Sequence, residues 1–261
     1  MSAKEIESPV DKLGRLVEEA YLLFGKSSPH TGAIQTCGCC VGDAFEKEIN
    51  ATPLRELTAE QIAVHGQSAY QRSVDIRCMV PRVFELIASG DDPIGSTFQF
   101  YINWDAEGGD WRSWPEEEKE LLQGLAEACF EIAFDWPKRP FCLRPGEVCA
   151  MLLALDMNLM ERIKARFTSG DPVQIAGVAM LLRDREGWFI SFDGYYDFQK
   201  CEEEVTQLIY REEAVKVLHS AARSTQDPGL SEALTYFASL AELHTAPYGE
   251  SALPAPDWEN V

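Results

Sequence analysis

Helix-start signals followed by apolar residues at three- and four-residue spacing recur along this chain, and they constrain its fold more than any other feature. The first stretch covers residues 8–25, where Ser8 provides a cap and Pro9 suits the first helical position. Apolar residues then recur until Gly25, and their spacing places them on one face of a helix. The sequence therefore predicts an amphipathic helix here.

Similar patterns predict helices along the rest of the chain. Thr58 and Gln61 have the spacing of a capping box. Ser113 precedes a run of acids at residues 116–118. Serine is favoured at helix starts, and acids in the first turn are stabilised by the positive end of the helix dipole, so a helix is predicted to start here. The predicted helical stretches are 58–70, 80–88, 116–136, 148–155, 159–167, 172–182, 202–223 and 228–244.

One short segment, residues 188–192, is rich enough in large apolar side chains to suggest a strand, and one strand cannot form a sheet. The sequence therefore predicts a mainly α fold, an irregular multi-helix array with at most a minor β element. Stacking like that of an α-solenoid is one form such an array can take. We expect a single α-helical domain over residues 1–245 and a Pro-containing C-terminal tail over residues 246–261.

The charge of the chain limits its partners. Its 43 acidic and 23 basic residues give a formal net charge of −20, which repels nucleic acids and anionic membranes and attracts basic proteins. The apolar runs are far shorter than the roughly 20 residues that span a bilayer, and residues 1–11 do not resemble a signal peptide. We therefore expect a cytoplasmic protein with a basic protein partner, although the charge could serve solubility alone.

Tryptophans and acids alternate over residues 103–119, and residues 193–197 have a similar composition. Tryptophan and tyrosine supply much of the binding energy at protein interfaces, while complementary charge steers the encounter. The alternative is that these rings pack inward and hold long loops against the helices. The residues predicted to bind a partner are Trp104, Asp105, Glu107, Asp110, Trp111, Trp114, Asp193, Tyr195, Tyr196 and Asp197.

Three of the eight cysteines lie within four residues, at Cys37, Cys39 and Cys40. Thiols this close can hold one soft metal ion or exchange disulfides. Cys37 and Cys40 have the spacing of a zinc knuckle, and His30, His65 or Cys39 could fill the remaining positions of a tetrahedral site. The sequence lacks a second ligand pair at matching spacing. The alternative is a turn whose small, polarizable side chains pack against the core. We expect no cofactor, with zinc at His30, Cys37, Cys39 and Cys40 as the open alternative.

Two further segments accompany the cysteine cluster in a recognisable order. Thr-Pro-Leu-Arg-Glu-Leu-Thr occupies residues 52–58, and Pro-Arg-Val-Phe-Glu-Leu occupies residues 81–86. This arrangement, confined to the first third of the chain, resembles a family of uncharacterised bacterial proteins. Gly38 stands where that family often has Pro, and Met79-Val80 replaces its usual Phe-Leu. The resemblance implies a bacterial cytosolic protein and supplies no catalytic residues.

The sequence contains no Gly-rich phosphate loop, nucleophile elbow, His-Glu-x-x-His helix or calcium loop. The leading hypothesis is therefore a non-enzymatic, acidic, protein-binding protein, such as a bacterial immunity protein that neutralises a basic toxin domain. A second hypothesis is a metal- or thiol-dependent enzyme or sensor centred on Cys37, Cys39 and Cys40. A third is a helical scaffold in a larger assembly.

Overall fold

The computed structural model describes residues 7–27, 42–62, 76–91, 110–135, 144–182 and 196–245. Every regular element in these ranges is helical, which confirms the prediction of a mainly α multi-helix protein. None of the helices in these ranges has the length and apolar character needed to cross a membrane.

The α-helices with defined bounds are, in chain order, α1 (Pro9–Ser27), α2 (Asp43–Ala51), α3 (Val80–Ala88), α4 (Glu116–Ala133), α5 (Pro145–Ala154), α6 (Leu159–Phe167), α7 (Pro172–Ala179), α8 (Tyr196–Ile209), α9 (Glu212–Ser224) and α10 (Pro228–Thr245). Short 3₁₀ turns occupy Leu54–Glu56, Ile76–Met79, Trp111–Ser113 and Met180–Leu182.

The predicted helix starts at Ser8 and Thr58 are borne out by their hydrogen bonds, whereas Ser113 lies in the 3₁₀ turn before α4 and its hydroxyl donates to the carbonyl of Asp110. The Asp11 amide donates to Ser8 Oγ at 3.2 Å at the start of α1. In the capping box the Gln61 amide donates to Thr58 Oγ1 at 3.2 Å, and the Thr58 amide donates to Gln61 Oε1 at 2.9 Å. Residues 59–62 are helical, and the predicted continuation of this helix lies outside the described residues.

Two features of the helix pattern differ from the prediction. Helix α2 was not anticipated, because Gly42 before it provides no capping side chain and only Ile49 among its nine residues is buried. The stretch predicted as one helix over 202–223 is two, because the backbone at Arg211 is extended and Glu212 starts the new helix α9. The suggested strand at 188–192 lies outside the described residues.

The described residues fall into two compact units. Unit 1 contains those up to Ile132 together with Ala150–Met157, and unit 2 contains the others. The prediction of one domain over residues 1–245 stays a prediction, and the predicted tail at 246–261 lies outside the described residues.

The core of each unit comes from the apolar faces of its helices. In unit 1, α1 packs against α3, and the buried side chains of these helices include Leu13, Phe24, Phe84 and Ile87. In unit 2, α9 packs against α10, and α7 contacts α6, α9 and α10. All residues of α7 from Ile175 to Ala179 are buried, so this helix forms the centre of its unit.

Candidate functional site

Two of the tryptophans predicted to bind a partner are buried. Trp111 and Trp114 are each 4% exposed. The Trp111 indole N–H donates to the carbonyl of Ala154 at 3.1 Å, and the Trp114 ring packs edge-on against Phe24 with centroids 5.9 Å apart. This corrects their assignment as surface anchors, because an apolar ring at this depth contributes to the core of unit 1 and presents little area to a partner.

Asp110, predicted for the same surface, is exposed and already has a cationic partner. Arg112 Nη1 donates to Asp110 Oδ1 at 3.0 Å, and the Arg112 amide donates to the same oxygen. The guanidinium also contacts Asp156 through two hydrogen bonds of 2.7 and 3.0 Å, which raise the pKa of Arg112. Asp110 is therefore part of a local ion-pair group that joins the 110–114 segment to the end of α5.

The backbone at Asp156 explains why this position is unusual. Asp156 has a φ of 53°, in the left-handed region that favours glycine. The Asp156 amide donates to Leu153 and the Met157 amide to Leu152, the pattern that commonly ends a helix with glycine at this place. Aspartate at this position also supplies a carboxylate that pairs with Arg112. A glycine would lose this ion pair.

We therefore expect Asp156→Ala to be less stable than Asp156→Gly. Both variants lose the exposed ion pair, whereas the left-handed backbone costs alanine about 1 kcal/mol more than glycine. Urea denaturation should show the free energy of unfolding lower for the alanine variant by about that amount. Equal stabilities would mean that the backbone at this position is not constrained to the left-handed conformation.

Most of the other predicted site residues lie outside the described residues. These are His30, Cys37, Cys39, Cys40, Trp104, Asp105, Glu107, Asp193 and Tyr195. Tyr196 and Asp197 begin helix α8, but the description does not extend to their side chains. The predicted zinc site and the rest of the predicted partner surface therefore stay predictions.

The described residues contribute no metal site of their own. No three His, Cys, Asp or Glu side chains within the described ranges are grouped so that they could hold a metal ion. Cys78, Cys129 and Cys149 are buried. A buried cysteine side chain behaves as a small apolar core residue.

A group of charged residues that no local sequence pattern marks meets on the surface of unit 1. The guanidinium of Arg55 lies 3.7 Å from the centroid of the Tyr21 ring. Arg55 donates to both carboxylate oxygens of Glu18, at 3.0 and 2.7 Å, and to Glu85 Oε1 at 3.3 Å. We call the Tyr21 ring face with the carboxylates of Glu18 and Glu85 the Tyr21 site.

The Tyr21 site is supported from behind by Arg82. Tyr21 donates its hydroxyl hydrogen to Glu85 Oε2 at 2.5 Å, and Arg82 Nη1 donates to the same oxygen at 2.6 Å. Arg82 Nε donates to the carbonyl of Leu57 at 2.8 Å. These bonds fix the carboxylate of Glu85 and leave its other oxygen directed at Arg55.

The ionisation of the site follows from these contacts. Burial, followed by the hydrogen bond to Glu85, raises the pKa of the Tyr21 hydroxyl, so this group stays protonated. The hydrogen bond from Arg55 lowers the pKa of Glu18, and the same bond raises the pKa of Arg55. The Tyr21 site therefore presents two carboxylates and a neutral aromatic face to a cation at neutral pH.

Most of the remaining acidic side chains of the described residues face solvent. Glu118 is the one acidic residue among them that is buried as a whole, and Arg77 Nη1 contacts it at 3.2 Å, while one carboxylate oxygen of Glu127 is also buried. Many of the basic side chains pair with acids on the same chain, including Arg15, Arg55, Arg82, Arg112 and Lys216. The exposed glutamates include Glu60, Glu117, Glu120, Glu203, Glu213 and Glu232.

Comparisons with known proteins found no matching family model, no matching curated protein and no matching solved structure.

Proposed function

We propose that this chain is a non-enzymatic protein whose function is to bind a basic protein. The observation that carries the proposal is the position of its acidic charge. The formal net charge is −20, and most carboxylates in the described ranges are exposed, although Glu118 and one oxygen of Glu127 are buried. Most of the negative charge of these ranges is therefore available at the surface, where it speeds association with a basic partner and disfavours anionic ones.

The particular basic partner that we propose is a toxin domain, with this chain as its immunity protein. Toxins that act on nucleic acids carry positive surfaces because their substrates are anionic. An acidic inhibitor gains both a fast encounter and charge complementarity from such a target.

A toxin inhibitor and a helical scaffold predict different consequences when the protein is lost. Depleting an immunity protein from its own cells should arrest their growth, and deleting the gene of a basic toxin should restore it. The wild-type gene should also restore growth, whereas a variant with Glu60, Glu117, Glu120, Glu203, Glu213 and Glu232 replaced by glutamine should do so less well. These six glutamates are exposed, so their replacement changes surface charge and leaves the core intact.

Normal growth without the protein would contradict the immunity function and favour the scaffold hypothesis. Full rescue by the glutamine variant at equal protein level would contradict the role of charge. The metal- or thiol-dependent alternative depends on Cys37, Cys39 and Cys40, and it predicts that replacing all three with serine removes the activity in cells while the surface-charge variant retains it.

A further inference from the structure

The Tyr21 site has the composition of a binding site for an arginine side chain. The guanidinium that occupies it, that of Arg55, lies 3.7 Å from the centroid of the aromatic ring and donates to two carboxylates, one of them through both oxygens. Proteins recognise arginine in this way, because the planar cation stacks on a ring while its edge donates to carboxylates. In this chain the guanidinium in the site is that of Arg55.

The site is preorganised by groups other than Arg55. Tyr21 is held by its hydrogen bond to Glu85, and Glu85 is held by Arg82, which is itself bonded to the carbonyl of Leu57. Tyr21 and Glu18 lie on α1 and Glu85 lies on α3, two helices that pack against each other. Removing the Arg55 side chain would therefore leave the aromatic face and the Glu85 carboxylate in place, with Glu18 beside them on the same helix as Tyr21.

Arg55 itself is weakly constrained. It lies on the 3₁₀ turn Leu54–Glu56, and its side chain is 48% exposed. Its main partner Glu18 is 62% exposed, and ion pairs this open to water are weak and screened by salt. The neighbouring Leu57 and Ile62 are fully buried, so they keep the segment attached when the arginine side chain moves.

We propose that the Tyr21 site binds an arginine side chain of a basic protein partner, and that Arg55 occupies the site until the partner displaces it. This inference rests on the proposed function, because it names the surface and the side chain through which a basic partner is recognised. Arg55 then competes with any other cation for the Tyr21 site. Small cations do not displace it, whereas a partner protein does, because its other contacts with this chain compensate for the loss of the Arg55 contacts.

The test measures binding of methylguanidinium to the purified full chain by NMR titration, with sodium chloride added to equal ionic strength in the reference samples. The Arg55→Ala variant should bind methylguanidinium about tenfold more tightly than the wild type, because the competing side chain is gone. Arg15→Ala is the matched control. Arg15 is an exposed arginine that also pairs with two glutamates, so this variant changes the net charge equally and should bind as the wild type does.

A second variant separates the site from general electrostatic attraction. In the Arg55→Ala background, Tyr21→Leu removes the aromatic face and should abolish the gain in affinity. If Arg55→Ala impairs folding, Arg55→Gln serves in its place, since it keeps the aliphatic part of the side chain and a polar end but removes the guanidinium. Equal methylguanidinium affinity in the wild type and the Arg55 variants, or a gain that survives Tyr21→Leu, would overturn the inference.

This experiment needs no natural partner, so its failure is distinct from failure of the proposed function. A basic partner found with the protein, together with no methylguanidinium binding by the Arg55 variants, would place recognition elsewhere on the acidic surface. If the Arg55 variants bound methylguanidinium but no basic partner were found with the protein, the arginine-binding site would be supported and the proposed function would be contradicted.

Discussion

Replacing Gly177 with alanine is expected to unfold unit 2 or to destabilise it severely. A Cβ at this position of α7 would lie 2.1 Å from the carbonyl oxygen of Phe134 and 2.8 Å from its carbonyl carbon. Both contacts are with backbone, so relief requires movement of a whole segment. Overpacking of a core costs about 1–3 kcal/mol when side chains can adjust, and we expect a loss above that range here.

The matched control is Gly124→Ala in helix α4. A Cβ there would make ordinary contacts with Leu16, the nearest at 3.7 Å. Alanine favours the helix by up to about 1 kcal/mol over glycine, so this variant should be as stable as the wild type or more so. Urea denaturation of the two variants checks both, and a Gly177→Ala protein of wild-type stability would show that α7 does not approach Phe134 so closely.

Replacing Trp114 with alanine is expected to be the second most destabilising change. Trp114 is 4% exposed and packs edge-on against Phe24, which is fully buried between α1 and its neighbours. Truncating a buried tryptophan to alanine costs about 3–5 kcal/mol, because the transfer free energy is lost and a cavity remains. Thermal and urea denaturation should both show the loss.

The control for Trp114 is its replacement by phenylalanine, which keeps an aromatic ring against Phe24 and should recover much of the stability. The result also separates the two interpretations of this segment. A Trp114→Ala protein that stayed as stable as the wild type and lost only partner binding would contradict the burial of the ring and restore its interpretation as an interface anchor.

Sequence reasoning predicted the helices whose signals are local. The caps at Ser8 and Thr58 and the acidic first turn of α4 were correct because each depends on residues a few positions apart. Helix α2 was missed because it buries so little apolar surface. The division between α8 and α9 was missed because the extended conformation at Arg211 leaves no proline or glycine in the sequence to mark it.

The Tyr21 site could not have been predicted in the same way. Its residues come from α1, from the turn after α2 and from α3, and only the packing of these segments brings them together. Read singly, Glu18 and Glu85 look like the solvated positions of amphipathic helices.

The direction in which a tryptophan faces is likewise a tertiary property. Trp111 and Trp114 are flanked by acids that suit an interface, yet both rings turn inward. Trp111 does so because its indole N–H satisfies a carbonyl at the end of α5, and Trp114 because it fills space beside Phe24. Neither Ala154 nor Phe24 is close to these tryptophans in the sequence.

The most direct test of binding to a basic protein is native mass spectrometry of this protein purified gently from its own cells at low ionic strength. The account predicts a stoichiometric complex with a basic protein, which dissociates as salt is raised because charge complementarity is screened. The account would be contradicted if the chain were recovered alone at low salt. A mass increment of one metal ion that is lost on thiol blocking would instead support the metal- or thiol-dependent function centred on Cys37, Cys39 and Cys40.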